Sequence, residues 1–205
     1  VGAAASVPCP ICADPELRLV TYVFGHRLPA HGRCVADAAE LCAGRFAQLL
    51  REEGTAPTII AAVLPAANVP GRAARNLEAL QTLVPVESFR TLVAAVERIV
   101  RIVPEGTEPV YDEARLVLPE ETALLGLVRS MPAGDTTSLT DFAAQAGGLA
   151  DAVETFFDKV LVNDPDEDVR RSRLGLLAAI RAAAPADIDW SALYVAERQR
   201  VGTGS

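Results

Sequence analysis

Histidine and cysteine are scarce in this sequence and are confined to one end of it. Both histidines and all four cysteines lie within the first 42 of the 205 residues. No imidazole base can therefore come from the later region, and no glycine-rich phosphate loop of the Walker or dinucleotide type is present. We expect no catalytic residues on this chain.

Long apolar runs and a basic surplus are also missing. No run of eighteen apolar residues occurs, and the opening VGAAASVPCP lacks the features of a secretory signal, so we expect a cytoplasmic protein without membrane contact. A first residue other than methionine suggests a piece of a longer protein. The net charge of -8 argues against general nucleic-acid binding, which depends on basic surfaces. Any polyanionic partner must be held by a local basic patch.

Apolar residues recur at steps of three and four almost throughout, which predicts an all-α helical bundle. We expect three regions: an N-terminal Cys/His element at 1–35, a helical domain at 36–195 and a flexible tail at 196–205. LRLVTYVF at 17–24 is the one candidate strand. The predicted helices span 35–53, 58–64, 72–83, 87–103, 119–131, 139–145, 149–160 and a last long helix that carries 169–180.

The helix at 87–103 has the clearest apolar stripe, and Val100 belongs to it, whereas Glu97 falls on the polar side. In VETFFDKVLV, Phe156 and Phe157 fall on one apolar face and are expected in the core. The acids of DPDED, at 164–168, fit a helix start, where negative charge favours the helix dipole.

Cys9 and Cys12 form one pair of potential metal ligands, and His31 and Cys34 form another, separated from the first by eighteen residues. Paired ligands of this kind can close a tetrahedral zinc site. Reduced or buried thiols and disulfides remain alternatives, and Cys42 would be a spare cysteine in a helix.

Two groups of arginines are candidate phosphate contacts. Arg98 and Arg101 share one helix, and Arg170, Arg171 and Arg173 cluster in the first turns of the last long helix, a poor place for cations on dipole grounds. A solvated face with salt bridges to nearby acids is the alternative interpretation.

The segment ADAVETFFDKVLVNDPDEDVRRSRLGLLAAIRAAA, followed by DIDWSAL, resembles the closing signature of the bacterial-type glycyl-tRNA synthetase beta subunit. Its elements are a Val-Asp-x-Phe-Phe-Asp helix, an acidic turn, an Arg-Leu-x-Leu-Leu helix and a short Asp-aromatic-Ser ending. Supporting similarities precede it in the family's order, and the resemblance covers roughly residues 41 to 193. The supporting segments are FAQLLREEG with TIIAAVL, NLEALQTL, FRTLVAAVERIVRIV and LPEETALLGLV.

The resemblance implies the all-α anticodon-binding fold related to the DALR domains of arginyl- and cysteinyl-tRNA synthetases. It implies contact with the anticodon side of glycine tRNA, with the alpha subunit and the beta-subunit body as partners and glycine activation left to the alpha subunit. Where the family helix has Lys-Arg-Val-x-Asn-Ile, this chain has Glu97 in place of the lysine and Arg101 in place of the asparagine. The alternative is a helical protein-interaction module that has lost RNA binding, with zinc as a potential stabiliser.

Overall fold

The computed structural model describes residues 31–131 and 138–195, with side chains from residue 39 onward. The chain divides into two compact units, residues 1–40 and 41–205. The described part of the first unit, 31–40, is the beginning of helix α1, which spans His31–Glu52. The strand predicted at 17–24 and the tail predicted at 196–205 lie outside the described residues.

Within the described ranges, every regular element is a helix, so the all-α prediction is confirmed. Most bounds agree with the apolar periodicity to within two residues. After α1 come α2 (Pro57–Val63), α3 (Pro70–Leu83), α4 (Glu87–Ile102), α5 (Pro119–Ser130), α6 (Leu139–Gln145), α7 (Leu149–Lys159), α8 (Glu167–Ala183) and α9, helical over the described residues 190–195. None of the described helices is long and apolar enough to cross a membrane.

Local sequence signals explain where the helices begin and end. Proline occupies the start of α2, α3 and α5, where its fixed φ suits a helix and its missing N–H leaves no bond unmade. Ser138 caps α6 by accepting a hydrogen bond from the Asp141 N–H at 3.1 Å. Gly54 has a φ of +79° just after α1, a conformation that glycine adopts without steric cost.

The core of the second unit lies among α4, α5, α7 and α8. Helix α7 packs against α4 and α5, and α8 packs against the same two helices, so four apolar faces meet. Phe156 of α7 is fully buried there. The closing DIDWSAL motif seals another part of the core, because Trp190 packs edge-on to Phe142 with ring centroids 5.7 Å apart and donates to the Pro185 carbonyl.

The buried face of α4 differs from the predicted stripe. Val100 is 37% exposed, whereas Glu97 is only 8% exposed. Because α4 contacts both α7 and α8, its buried face is wider than one apolar stripe and is displaced toward Glu97. The prediction for Phe157 was also wrong in part, since this ring is half-buried and packs against the core from outside.

The long connection between α4 and α5 follows the surface of α8. The Arg181 guanidinium donates to the carbonyls of Val103 and Thr107, each at 3.0 Å. Further along, a Cβ added to Gly175 of α8 would lie 1.9 Å from the Val110 carbonyl oxygen. The backbone of the connection is therefore in direct contact with α8 there. The connection was predicted as irregular, and α8 fixes its path through these contacts.

Candidate nucleic-acid interface

Arg98 and Arg101 lie three positions apart on α4, a spacing that places both on one side of the helix. The Arg101 side chain is 64% exposed. Arg98 is half-buried, and its guanidinium carbon lies 4.3 Å from the centroid of the Phe157 ring. This cation–π contact restrains Arg98, so its position is fixed before any ligand arrives.

Glu97 limits the positive charge of this pair. One carboxylate oxygen lies 3.8 Å from Arg101 Nη1. The other oxygen, Oε2, is buried and has no hydrogen-bond partner among the described residues. A carboxylate in this position attracts Arg101 and opposes an approaching phosphate.

Arg170 and Arg171 lie together in the first turns of α8. Arg170 donates to the Asp164 carbonyl at 3.1 Å, and Arg171 pairs with Asp168 at 3.1 Å and with Glu167 at 3.5 Å. Both arginines border a groove of about 470 Å³ beside the α4–α5 connection. These salt bridges match the solvated-face interpretation, yet Arg171 remains largely exposed to solvent.

Arg173 differs from the other four arginines because its side chain is only 7% exposed. Its Nε donates to Glu121 at 2.5 Å, and its Nη1 donates to Asp164 at 2.7 Å and to the Leu161 carbonyl at 2.8 Å. The sequence grouped Arg173 with exposed arginines, but Glu121 of α5 and Asp164 of the turn before α8 pair with it and bury it, while Arg170 and Arg171 stay nearer to solvent. We therefore exclude Arg173 from the candidate interface and assign it a structural role.

The structure brings Arg98 close to Arg101 and Arg170 close to Arg171. Among the described residues, no hydrogen bond or ion pair links the first pair to the second. The two pairs are carried by α4 and α8, which pack against each other. A nucleic acid that met both pairs would contact two neighbouring helices of the same bundle.

Two carboxyl groups near the helix starts have lowered pKa values. For Asp164 the main cause is the hydrogen bond from the Asp166 N–H, and the Arg173 guanidinium lowers this pKa further, while desolvation opposes both. For Glu120 the pKa is lowered first by its own backbone N–H and then by Lys159, whose Nζ lies 3.2 Å away. Both groups are thus held in the ionised form.

A cavity between α3 and the start of α6 was missed by sequence reasoning. It measures about 500 Å³, and its lining includes Arg72, Arg75, Asn76, Thr140 and Asp187. The arginines and the asparagine were visible in GRAARNLEAL at steps of three and four. Nothing in the sequence indicated that Asp187, more than a hundred residues away, completes the wall.

All four side chains of the predicted metal site lie outside the described residues. This applies to Cys9 and Cys12, and to the side chains of His31 and Cys34, whose backbone belongs to α1. Within the ranges that the structure describes, no group of three or more His, Cys, Asp or Glu residues could hold a metal ion.

Comparison with known proteins addresses the origin of the chain. No protein-family model matches it. The glycine–tRNA ligase beta subunit of Erwinia tasmaniensis is 30% identical over 170 residues, an alignment that covers 78% of this chain and 24% of that protein. The chain is homologous to this beta subunit.

Other glycine–tRNA ligase beta subunits give the same result. That of Geobacter metallireducens is 30% identical over 165 residues, covering 76% of this chain and 24% of the relative. That of Actinobacillus pleuropneumoniae is 29% identical over 183 residues, covering 84% and 26%. The resemblance to the C-terminal region of the beta subunit is confirmed. The chain spans about a quarter of the length of these relatives.

Proposed function

We propose that this chain is a noncatalytic tRNA-binding module of the glycine–tRNA ligase type, which contacts the anticodon side of glycine tRNA. Homology to the glycine–tRNA ligase beta subunit carries the proposal. The partners that follow from it are glycine tRNA, the ligase alpha subunit and the body of the beta subunit. A cytoplasmic location belongs to the same proposal.

The RNA contacts are assigned to Arg98 and Arg101 on α4, and to Arg170 and Arg171 on α8. All four keep at least part of the side chain at the surface. Arg98 supports the assignment most directly, because Phe157 positions its guanidinium and no carboxylate pairs with it among the described residues. Arginine so held can donate two hydrogen bonds to one phosphate.

A fluorescence anisotropy titration tests this proposal. Labelled glycine tRNA and an unrelated tRNA are titrated with the chain at two salt concentrations, and the double variant Arg98→Glu/Arg101→Glu is compared with Arg45→Glu. Arg45 is an exposed arginine of α1 and serves as the charge-reversal control. We expect tighter, salt-dependent binding of glycine tRNA, and a salt slope that falls by about 0.7 to 0.9 for each phosphate that the double variant no longer neutralises. Unchanged affinity and slope in the double variant would refute the contacts assigned to α4.

A protein-interaction module is the second candidate function. The net charge of -8 and the contact of Glu97 with Arg101 favour it over RNA binding. In that case the wild-type chain binds both tRNAs weakly and equally, while it forms a complex with the purified ligase alpha subunit in size-exclusion chromatography with light scattering. The tRNA titration separates the candidates, because a complex with the alpha subunit is expected under both.

A further inference from the structure

The cavity between α3 and α6 combines cationic, acidic and neutral polar groups. Arg72 and Arg75 lie in the first half of α3, and Thr140 stands on the first turn of α6. Its volume of about 500 Å³ falls within the range of small-ligand sites, about 300 to 1,000 Å³. It is separate from the arginines of the candidate interface, none of which lines it.

Asp187 organises one wall of the cavity. Its Oδ2 accepts a hydrogen bond from Asn76 Nδ2 at 2.9 Å and lies 3.6 Å from Arg72 Nε. Asn76 is only 6% exposed, so its amide is held in one orientation by a buried contact. Side chains fixed in this way recognise a ligand without first losing conformational freedom.

Among the described residues, Arg75 carries the positive charge of the cavity that no ion pair neutralises. Arg72 is neutralised by Asp187, whereas Arg75 has no carboxylate within ion-pair distance in the part of the chain that the structure describes. Glu78, on the rim, is exposed to solvent. One available guanidinium beside the fixed Asn76–Asp187 pair suits a ligand that carries a single anionic group and an edge of neutral donors and acceptors.

The lining also contains an apolar surface, to which Ala79, Leu83 and Leu139 contribute. Leu139 is almost completely buried and forms part of the core, so this surface is rigid. A flat ring can lie against such a surface while its edge meets polar groups. An inorganic anion would use neither the apolar surface nor Asp187, which would repel it.

We infer that this cavity binds one unpaired nucleotide of an RNA strand. The phosphate pairs with Arg75, the base lies against the apolar surface, and its hydrogen-bonding edge meets Asp187 and the Thr140 hydroxyl. Unpaired bases are recognised in this manner, by contact with their faces and by hydrogen bonds to their edges. The inference rests on the proposed function only for the RNA that supplies the nucleotide.

Nuclear magnetic resonance of the isotope-labelled chain tests the inference with the four nucleoside 5′-monophosphates as probes. The side-chain amide of Asn76 is the reporter, because it lies in the wall and is buried. We expect at least one nucleotide to shift its resonances saturably, and Arg75→Glu to weaken that nucleotide about tenfold, as for removal of a charged hydrogen bond. The Arg45→Glu control should bind like the wild type.

A second variant and two further probes complete the test. Thr140→Val keeps the side-chain shape, removes the hydroxyl and should change the order of preference among the four bases. The inference would be overturned if inorganic phosphate alone or an acidic peptide shifted the Asn76 resonances as strongly as the best nucleotide does. Silent Asn76 resonances with all four nucleotides would overturn it as well.

The outcome also separates this inference from the proposed function. If the chain binds glycine tRNA with salt dependence but no nucleotide reaches Asn76, only the cavity assignment fails. If a nucleotide occupies the cavity but no tRNA binds, the proposed function fails and the cavity assignment stands.

Discussion

Arg173 of α8 and Glu121 of α5, 52 positions apart in sequence, form a buried ion pair that joins the two helices. Glu121 is completely buried and also accepts the Leu118 N–H at 2.8 Å, so one carboxylate caps α5 and anchors α8. Asp164 adds a second carboxylate to the same guanidinium. These three residues thus connect the start of α5, the turn before α8 and α8 itself.

Arg173→Ala should reduce the free energy of unfolding by about 3–5 kcal/mol, because it leaves the Glu121 carboxylate buried without its partner. Arg171→Ala is the matched control on the same helix, and its exposed pairs should contribute about 0–1 kcal/mol. Urea unfolding followed by circular dichroism measures both. Equal urea midpoints for the two variants would contradict the structural role of Arg173.

If Arg173→Ala does not fold, the double variant Arg173→Met/Glu121→Met provides the check. Replacing both charges by apolar side chains removes the unpaired carboxylate, so the double variant should fold and exceed Arg173→Met alone in stability. A double variant less stable than that single variant would argue against the pairing.

Gly175→Ala should destabilise the domain by about 1–3 kcal/mol, because the new methyl group would overlap the Val110 carbonyl. The control is Gly126→Ala in α5, where an added Cβ meets nothing within 4 Å. That change should instead stabilise by about 0.5–1 kcal/mol through helix propensity. Thermal unfolding of both variants measures these changes in stability. A Gly175→Ala variant more stable than the wild type would show that the connection does not pack against α8.

Much of this fold is local and could be predicted from the sequence. Helix α6 begins at Leu139 and ends at Gln145 as predicted, because Ser138 and the Gly147–Gly148 pair act on their immediate neighbours. The acids before α8 likewise act locally, since Asp166 accepts from the N–H groups of Asp168 and Val169.

Contacts between distant segments could not be predicted. Periodicity cannot show how many helices cover α4, so it placed Glu97 outside and Val100 inside. Arg173 looked like its exposed neighbours because its partner Glu121 is far away in sequence. The cavity wall depends in the same way on Asn76 and Asp187, 111 positions apart.

Asp164 should make the domain less stable in acid. Its pKa in the folded protein is lower than the ordinary value of 3.8, so folding favours the carboxylate. The resulting stabilisation is complete above the unfolded-state pKa and is lost as the pH falls through the lower, folded-state pKa. Asp164→Asn should therefore be less stable than the wild type at pH 6 and approach it in strong acid.

Urea midpoints recorded from pH 6 down to pH 2 measure this difference. Asp158→Asn, which removes an exposed carboxylate of α7, is the control for the loss of one acidic charge. If the gap between Asp164→Asn and the wild type is the same at every pH, the hydrogen bonds to Asp164 do not favour its ionised form.

Glu97→Gln should strengthen binding of glycine tRNA. The carboxylate lies 3.8 Å from Arg101 Nη1, and its removal leaves that guanidinium to the phosphate while the side chain keeps its size. We expect a gain of about two- to fivefold at low salt that shrinks at physiological salt, as for charges near a surface. Glu53→Gln, which removes an exposed charge just after α1, is the control for net charge. Anisotropy titrations are recorded at both salt concentrations. Equal affinities for the two variants would mean that Glu97 does not restrain Arg101, and would remove Arg101 from the proposed interface.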